Sequence, residues 1–408
     1  MSDQSVTAVV LAAGEGRRLE PLTNRRPKPM VPVANRPLLE HVVEAVVEAG
    51  VDRIALVVGY RRERIRTHFG DGDDWGVSIE YVDQSTQLGT GHAVLQAESV
   101  VDGPFVVLNG DRIVDPSIVE RMLALARDGD APAMAVTTTD HPREYGVVEL
   151  DGDRVTAITE KPAGPVATNR INAGVYSFTP AVFDAIRETP ATGELTITST
   201  LNRLADREAV SAVSYDGRWL DVSNLWDLLT VNAGVLGAGD GGTDSADGDE
   251  TAASGNPSHT ASLAAVAESA VVASDVALAT GSRVGPNAMI GGSTAVGSNA
   301  TIAGNAVVEN AVVFPDAVIE AGAVVRDAIV AGNARVGPNA TVEGGTATVV
   351  VGDAVHRGVQ FGGVVGDNAV IGGGTVLTDG AVVGDDASVD AGVTLDGRVA
   401  SGAVVRRG

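Results

Sequence analysis

The sequence predicts two folds in one chain: an α/β domain with a mainly parallel sheet, then a parallel β-helix of hexapeptide repeats. Three observations predict it. Residues 1–235 alternate short apolar runs with amphipathic stretches, residues 236–262 show no apolar periodicity, and from 263 onward an apolar residue recurs every six positions. Strand–helix alternation with nearly all-apolar strands belongs to a parallel sheet covered on both faces. A period of six fits neither a helix nor an ordinary strand, but it fits a coil whose short strands form the sides of a triangle.

The elements follow in order. "TAVVLAAG" (7–14), "RIALVVG" (53–59), "PFVVLNGD" (104–111) and "APAMAVTTT" (131–139) read as strands, and "PLLEHVVEAVVEAG" (37–50) and "PSIVERMLALARDG" (116–129) as helices stopped by glycine. Ligands of such sheets sit beyond the carboxyl ends of the strands. Residues 236–262 carry five acids and no Lys or Arg, the composition of a flexible linker that would span roughly 30 Å as a coil. The part before it, ending near Leu236, is therefore expected to fold and act without the rest.

In residues 263–408 the six-residue series runs through Val266, Val272, Leu278, Val284, Ile290, Val296, Ile302 and Val308. It slips by one at Val313 and again at Val330, breaks after Val342, and resumes from Val365 to Leu395. The apolar residue is expected to point inward. The small residue four places later (Ala288, Thr294, Ala300, Ala306) is expected to let the chain turn the corner, with the slips at corners too.

Composition narrows the function. The net charge is −24 over 408 residues, which excludes nucleic acid and anionic membrane surfaces as partners. The chain has no cysteine, so thiolate metal sites, disulfides and a Cys nucleophile are excluded. The N-terminus lacks a basic segment followed by an apolar one, and no run reaches the roughly 18 apolar residues of a membrane span, so a cytoplasmic protein is expected. Acid-rich, aromatic-poor and nearly lysine-free composition resembles that of halophilic, haloarchaeal proteins, where counterions screen self-repulsion.

Only two lysines remain among 29 basic side chains: Lys28 in "RRPKPM" and Lys161 in "EKPAG". Around Lys28 the stretch "LAAGEGRRLEPLTNRRPKPMVPV" ends a strand in a glycine loop, then adds Arg17, Arg18, Arg25 and Arg26 and several prolines. It lacks the third glycine and immediate helix of a dinucleotide fingerprint. Five cations within 12 residues of so acidic a chain imply a polyanionic ligand.

This stretch resembles the signature GxGTRLxPLTxxxPKPxxPV of the sugar-1-phosphate nucleotidylyltransferases, with Arg17 in place of Thr. "QSTQLGTGHAV" (84–94), "LNGD" (108–111), "EYGVVELDGDRVTAITEKP" (144–162), "INAGVYSF" (171–178) and "RWLDVSNLWDLLTVN" (218–232) continue the resemblance in family order. Archaeal members that pair this domain with an acyltransferase-like β-helix look most similar. The resemblance implies a Rossmann-like nucleotidyltransferase domain and a left-handed β-helix that trimerises. It implies transfer of a uridylyl group, with thymidylyl second, from UTP or dTTP to a sugar-1-phosphate such as glucose-1-phosphate, with Mg²⁺.

Carried over residue by residue, Arg18, Lys28 and Lys161 are catalytic, and Asp111 and Asp221 hold the metal. Leu11, Ala13, Gly14, Gly16, Gln84, Gly89 and Thr90 bind the nucleotide, and Gly146, Glu160, Lys161 and Asn172 the sugar phosphate. Asp111 also reads as a strand-end turn residue and Asp221 as a helix cap. His92 reads as structural. Two alternatives accompany this. One is a bifunctional enzyme that also acetylates glucosamine-1-phosphate from acetyl-CoA through His356, whose family partners Tyr and Asn fall here at Val359 and Asp379. The other is a catalytically inactive regulatory subunit.

Overall fold

A computed structural model describes residues 6–190, 193–207, 210–237, 263–351 and 354–408. Of the linker expected at 236–262, residues 238–262 lie outside the described ones, while Leu236 and Gly237 end a helix. The chain forms two compact units whose boundary does not follow the sequence order. One comprises the residues up to Glu15, Arg26–Met30 and Leu38–Asp221; the other comprises Gly16–Arg25, Val31–Pro37 and the residues from Val222 on.

In the first unit three of the expected strands appear as β1 (Thr7–Ala12), β2 (Arg53–Val58) and β4 (Phe105–Asn109), joined by β3 (Ser78–Asp83), which the sequence reading did not name. They align in parallel in the order β3-β2-β1-β4. The Val, Ile and Ala side chains of β1, β2 and β4 are buried on both faces. Of the helices α1 (Leu38–Glu48), α2 (Arg62–Phe69), α3 (Thr90–Gln96), α4 (Pro116–Asp128), α5 (Ala181–Arg187) and α6 (Ile197–Arg207), α1 and α4 put Leu39, Val42, Val43, Val46, Met122 and Leu123 into one of the two cores beside the sheet.

The sheet continues with the fourth expected strand, β6 (Ala133–Thr138), and with strands that the apolar-run reading did not separate: β7 (Gly146–Asp151), β8 (Arg154–Glu160), β9 (Arg170–Phe178) and β10 (Ser211–Ser214). The order runs on from β4 as β9-β6-β10-β8-β7, with β9 antiparallel to β4 and β6. The parallel arrangement thus holds for the half carrying β1 and β4, and the other half is mixed. The physical reason is local: "ELDGDRV" makes a tight Asp-Gly turn, which forces β7 and β8 antiparallel. A short ladder pairs β5 (Arg112–Val114) with β11 (Trp219–Asp221).

The second unit holds the parallel β-helix. Two-residue strands such as Arg283–Val284, Thr301–Ile302 and Val318–Ile319 stack in register, one residue inward and one outward. The inward column of Val284, Ile290, Val296, Ile302, Val308 and their successors forms one continuous core. The one-residue slips fall where a coil is 17 residues long, as in the pairing of Val296 with Val313 and of Val313 with Val330. The small residues Ala288, Thr294, Ala300 and Ala306, expected to turn the corners, are instead buried. The turn itself is made by the residue before each: Asn287, Ser293, Asn299 and Asn305 all have φ of 54–59°. Asn tolerates this left-handed region better than most non-glycine residues.

The break in the period is an antiparallel hairpin, Thr346–Val351 with Ala354–Gln360, inserted into the coil. The last helix, α7 (Leu225–Gly237), belongs to this unit. Leu236 packs with Ala277, Ala295 and Ala34. Asn232 accepts from the Ala34 amide at 2.9 Å and donates to the Ser293 carbonyl at 2.7 Å. No helix among the described residues is long and apolar enough to cross a membrane.

Candidate active site

The strand order reverses direction between β1 and β4, and a doubly wound sheet opens a crevice at that point. A cavity of about 430 Å³ lies there in the first unit. Leu11, Ala13 and Gly14 line it from the end of β1, and Asn109, Asp111 and Arg112 from the end of β4.

Lys28 and Asp111 meet in it, Nζ to Oδ2, at 2.6 Å. Burial pushes the Asp111 carboxyl up, but the Lys28 ammonium, the Arg112 guanidinium and the Lys28 hydrogen bond outweigh it and hold the group below the usual range. Asp221 faces Arg112 across the β5–β11 ladder, with its Oδ1 3.6 Å from Arg112 Nε. Arg112 therefore lies between two carboxylates. Burial lowers its pKa and the two aspartates raise it, with a net upward shift. Its guanidinium also stands 5.4 Å from the Trp219 ring centroid. Asp221 is nearly covered and does not line the cavity.

β9 carries a bulge at "INAGVY", where the register to β6 shifts between Asn172 and Tyr176. Gly174 has φ +80°, and a Cβ there would fall 2.6 Å from Arg112 Nη1 and 2.7 Å from Asn109 Nδ2, so only glycine lets these side chains approach. The bulge also fixes Asn172. Its Oδ1 accepts from the Gly174 amide at 3.0 Å, its Nδ2 donates to the Tyr176 hydroxyl at 2.7 Å, and its carbonyl accepts from Arg112 Nη1 at 3.1 Å. Burial pushes the Tyr176 hydroxyl up to about 12.

Glu160 and Lys161 reach the cavity from the end of β8, where Glu160 pairs with Gly146. Lys161 stands before Pro162 with φ +42°. A non-glycine residue rarely holds that conformation, and such strain collects at functional sites.

On the other side stands the loop before α3 (Thr90–Gln96). Gln84 is 5% exposed; its Nε2 lies 3.2 Å from the Gly89 carbonyl and 3.0 Å from His92 Nδ1. The His92 ring sits between Gln84 and Gln96, which accords with the structural reading of this histidine. Gly89, at φ +104°, lets residues 194–198 approach: a Cβ there would lie 2.5 Å from the Leu195 carbonyl oxygen.

The fold thus gathers Leu11, Ala13, Gly14, Lys28, Gln84, Gly89, Thr90, Asp111, Glu160, Lys161 and Asn172 around one cavity. Gly146 sits just outside, on the ladder beside Glu160. Gly16 and Arg18 belong to the second unit, where Gly16 (φ 74°) precedes the exposed Arg17–Arg18 turn. His356 lies on the inserted hairpin of that unit, its ring 4.9 Å from Trp226. Sequence reading missed Arg112, Tyr176, Gln87 and residues 194–198. Arg112 follows Asp111 directly and could have been taken with it. Nothing in "ELTIT" marks a site, because it is brought there by contacts across the fold, among them the Leu195 N–H to the Leu88 carbonyl (2.7 Å), the Gly91 N–H to the Leu195 carbonyl (2.8 Å) and the Ile197 N–H to Thr90 Oγ1 (3.0 Å).

The crevice at the strand-order reversal, lined by Lys28, Arg112 and Lys161 beside Asp111, Glu160 and Glu194, defines an α/β protein with a charged cavity at the switch point of its sheet. The profile described as Nucleotidyl transferase matches residues 7–237, and the chain belongs to that family. A second profile, described as GMPPB C-terminal domain, matches residues 272–361. The chain is 38% identical over 229 residues to a protein named Bifunctional protein GlmU from Methanococcus maripaludis, covering 55% of this chain and 53% of that one. It is 38% identical over 234 residues to the low-salt glycan biosynthesis nucleotidyltransferase Agl11 of Haloferax volcanii, covering 56% and 65%. It is 39% identical over 236 residues to a glucose-1-phosphate thymidylyltransferase of Streptomyces antibioticus, covering 56% and 66%. The match thus spans about half the length of the GlmU relative. A solved structure of a putative glucose-1-phosphate thymidylyltransferase from Bacillus anthracis superposes with a TM-score of 0.53 at 26% identity, over 56% of this chain and 94% of that one.

Proposed function

We propose that the protein transfers a nucleotidyl group from a nucleoside triphosphate to a sugar-1-phosphate, with residues 1–235 as the catalytic domain, 236–262 as linker and 263–408 as the β-helix domain. The observation that carries this reading is the cavity itself. It places the only two lysines of the chain, Lys28 and Lys161, in one space with the Gln84–Thr90 loop.

In the proposed reaction a sugar-phosphate oxygen attacks the α-phosphorus, a new P–O bond forms, and the α–β bridge bond breaks as pyrophosphate leaves. Two polyanions must meet in line, so catalysis is positioning and charge neutralisation. Lys28, with Arg18, is assigned to the triphosphate, and Lys161 to the incoming phosphate, with Glu160 and Asn172 at the sugar. The two hydrogens of Gln84 Nε2 face Gly89 O and His92, which leaves its carbonyl oxygen for a base that donates a ring N–H, as uracil and thymine do.

Asp111, on the cavity wall, is a hard oxygen donor that fits Mg²⁺, which takes one or two carboxylates and fills its shell with phosphates and water, whereas Asp221 is covered and turned to Arg112, outside the cavity. The ion would supply charge neutralisation on the phosphates. Asp111→Asn should abolish most activity at saturating Mg²⁺ while the melting curve stays near wild type. Large instability with retained specific activity would make Asp111 a structural residue instead.

The experiment for the reading as a whole is a pyrophosphate-release screen of four triphosphates against several sugar-1-phosphates in molar KCl. Turnover with UTP or dTTP supports it, and no turnover with any pair overturns it.

Acetyl transfer is disfavoured. The His356 ring lies tilted against Trp226, and no lysine follows Lys161. Thiol release from acetyl-CoA with glucosamine-1-phosphate is expected to be negligible. Release that disappears in His356→Ala would establish the bifunctional alternative. We also propose a cytoplasmic homotrimer formed through the β-helix, a reading supported by the outward Val271 and Met289, 60% and 53% exposed on one sheet. Light scattering in high salt tests the oligomer.

A further inference from the structure

The signature segment is split between the two units. Glu15 and Arg26–Met30 belong to the first, and Gly16–Arg25 to the second. The loop 16–25 folds on itself, with Leu19 and Leu22 buried and Thr23 Oγ1 donating to the Gly16 carbonyl at 3.0 Å. Its far end is tied to the β-helix. Asn24 Nδ2 donates to Asp385 Oδ2 at 2.9 Å, Arg25 pairs with Asp386, and Arg398 Nη2 donates to the Glu20 carbonyl at 3.3 Å.

The β-helix side of this contact is built rather than incidental. "GDNA" (366–369) and "GDDA" (384–387) are stacked corners of adjacent coils. Asp385 is 4% exposed; its Oδ1 accepts from the Asp367 amide at 2.8 Å, and Asp367 Oδ1 in turn accepts from the Gly332 amide at 2.9 Å. Asp386 Oδ1 accepts from Asn368 Nδ2 at 3.0 Å, which leaves Oδ2 for Arg25. A buried carboxylate is costly unless its oxygens are matched. Here one oxygen of Asp385 orders the coil and the other reaches the loop. Burial raises the Asp385 carboxyl, and the Asn24 bond opposes that rise.

We propose that Asp385 and Asp386 are positioning residues for nucleotidyl transfer: the last coils of the β-helix hold the loop that carries Arg17 and Arg18. This rests on the function proposed above. The loop is joined covalently at one end to Glu15, next to Gly14, and at the other to Arg26, two residues from Lys28; both Gly14 and Lys28 line the cavity. Arg25 is then an anchor, and the phosphate-binding charge of the signature falls to its other cations. The β-helix serves the transfer reaction whether or not it has chemistry of its own.

The test uses the full chain in molar KCl, with Asn24→Ala, Asp385→Ala and the pair combined. Asp385→Ala also removes the partner of the Asp367 amide, so Asn24→Ala, which alters only the loop, guards against a folding failure. Each single change should raise KM for the triphosphate about fivefold or more, and the double should be no worse than Asp385→Ala alone. Hydrogen exchange of Asp385→Ala should speed up within residues 16–25 and not within the strands of the first unit. A folded Asn24→Ala protein with wild-type KM, or fully additive effects, overturns the proposal. A wild-type chain that turns over no substrate pair, yet shows the exchange change, would instead overturn the function on which it rests.

Discussion

Lys28 and Lys161 persist in a chain whose other basic residues are all arginine. The structure gives each a local reason. Lys28 is 13% exposed and aims a compact ammonium at Asp111 beside buried Pro29, a point-charge contact that a planar guanidinium fork is expected not to fit. Lys28→Ala should lower kcat/KM by roughly 100-fold or more, about 2.7 kcal/mol, and Lys28→Arg should fall short of full rate. Steady-state kinetics with pyrophosphate detection decides; full rescue by Arg would contradict the steric argument. Lys161 holds a left-handed backbone that glycine adopts more easily. Lys161→Gly should therefore keep the melting temperature at or above wild type while raising KM for the sugar-1-phosphate about tenfold or more. A stability loss with unchanged KM would make Lys161 a turn residue only.

At the scale of elements, periodicity located most of the scaffold and none of its irregularities. β1, β2, β4, α1 and α4 coincide with the apolar runs because those runs are buried on the faces that the pattern predicts. The β9 bulge left only a glycine inside an apolar strand, although it shapes Asn172 and Arg112. α7 reads as the end of the first domain, yet it packs with the β-helix. Its Asn232, 1% exposed, satisfies two main-chain groups, the Ala34 amide and the Ser293 carbonyl. Asn232→Ala should cost about 2–4 kcal/mol, because each main-chain group would be left buried without a partner. Calorimetry measures it, and a shift under 1 °C would show that α7 is not held through this residue.

Across the whole molecule, the expectation that a chain ending near Leu236 keeps activity changes. Truncation after Gly237 would remove the partners of Asn24, Arg25, Asn232 and Leu236. It would also bare α7, whose Leu236 packs on Ala277 and Ala295. The truncated protein should aggregate or lose at least roughly tenfold in kcat/KM. A soluble fragment with full activity and wild-type exchange in residues 16–25 would show that the first unit is self-sufficient.

The sequence by itself determined the two fold classes, the six-residue coil and the motifs that supply Asp111, Lys28 and Lys161. These depend on short-range pattern: apolar spacing, glycine and proline placement, and residue types at fixed offsets. The tertiary structure alone decided that residues 194–198 close the cavity beside Gly89, that a left-handed Asn, Asp or Ser before the small residue turns β-helix corners, and that the signature loop is held by Asp385 and Asp386. Asn24 and Asp385 are 361 residues apart in the chain, and the hydrogen bond between them leaves no periodic trace in either segment.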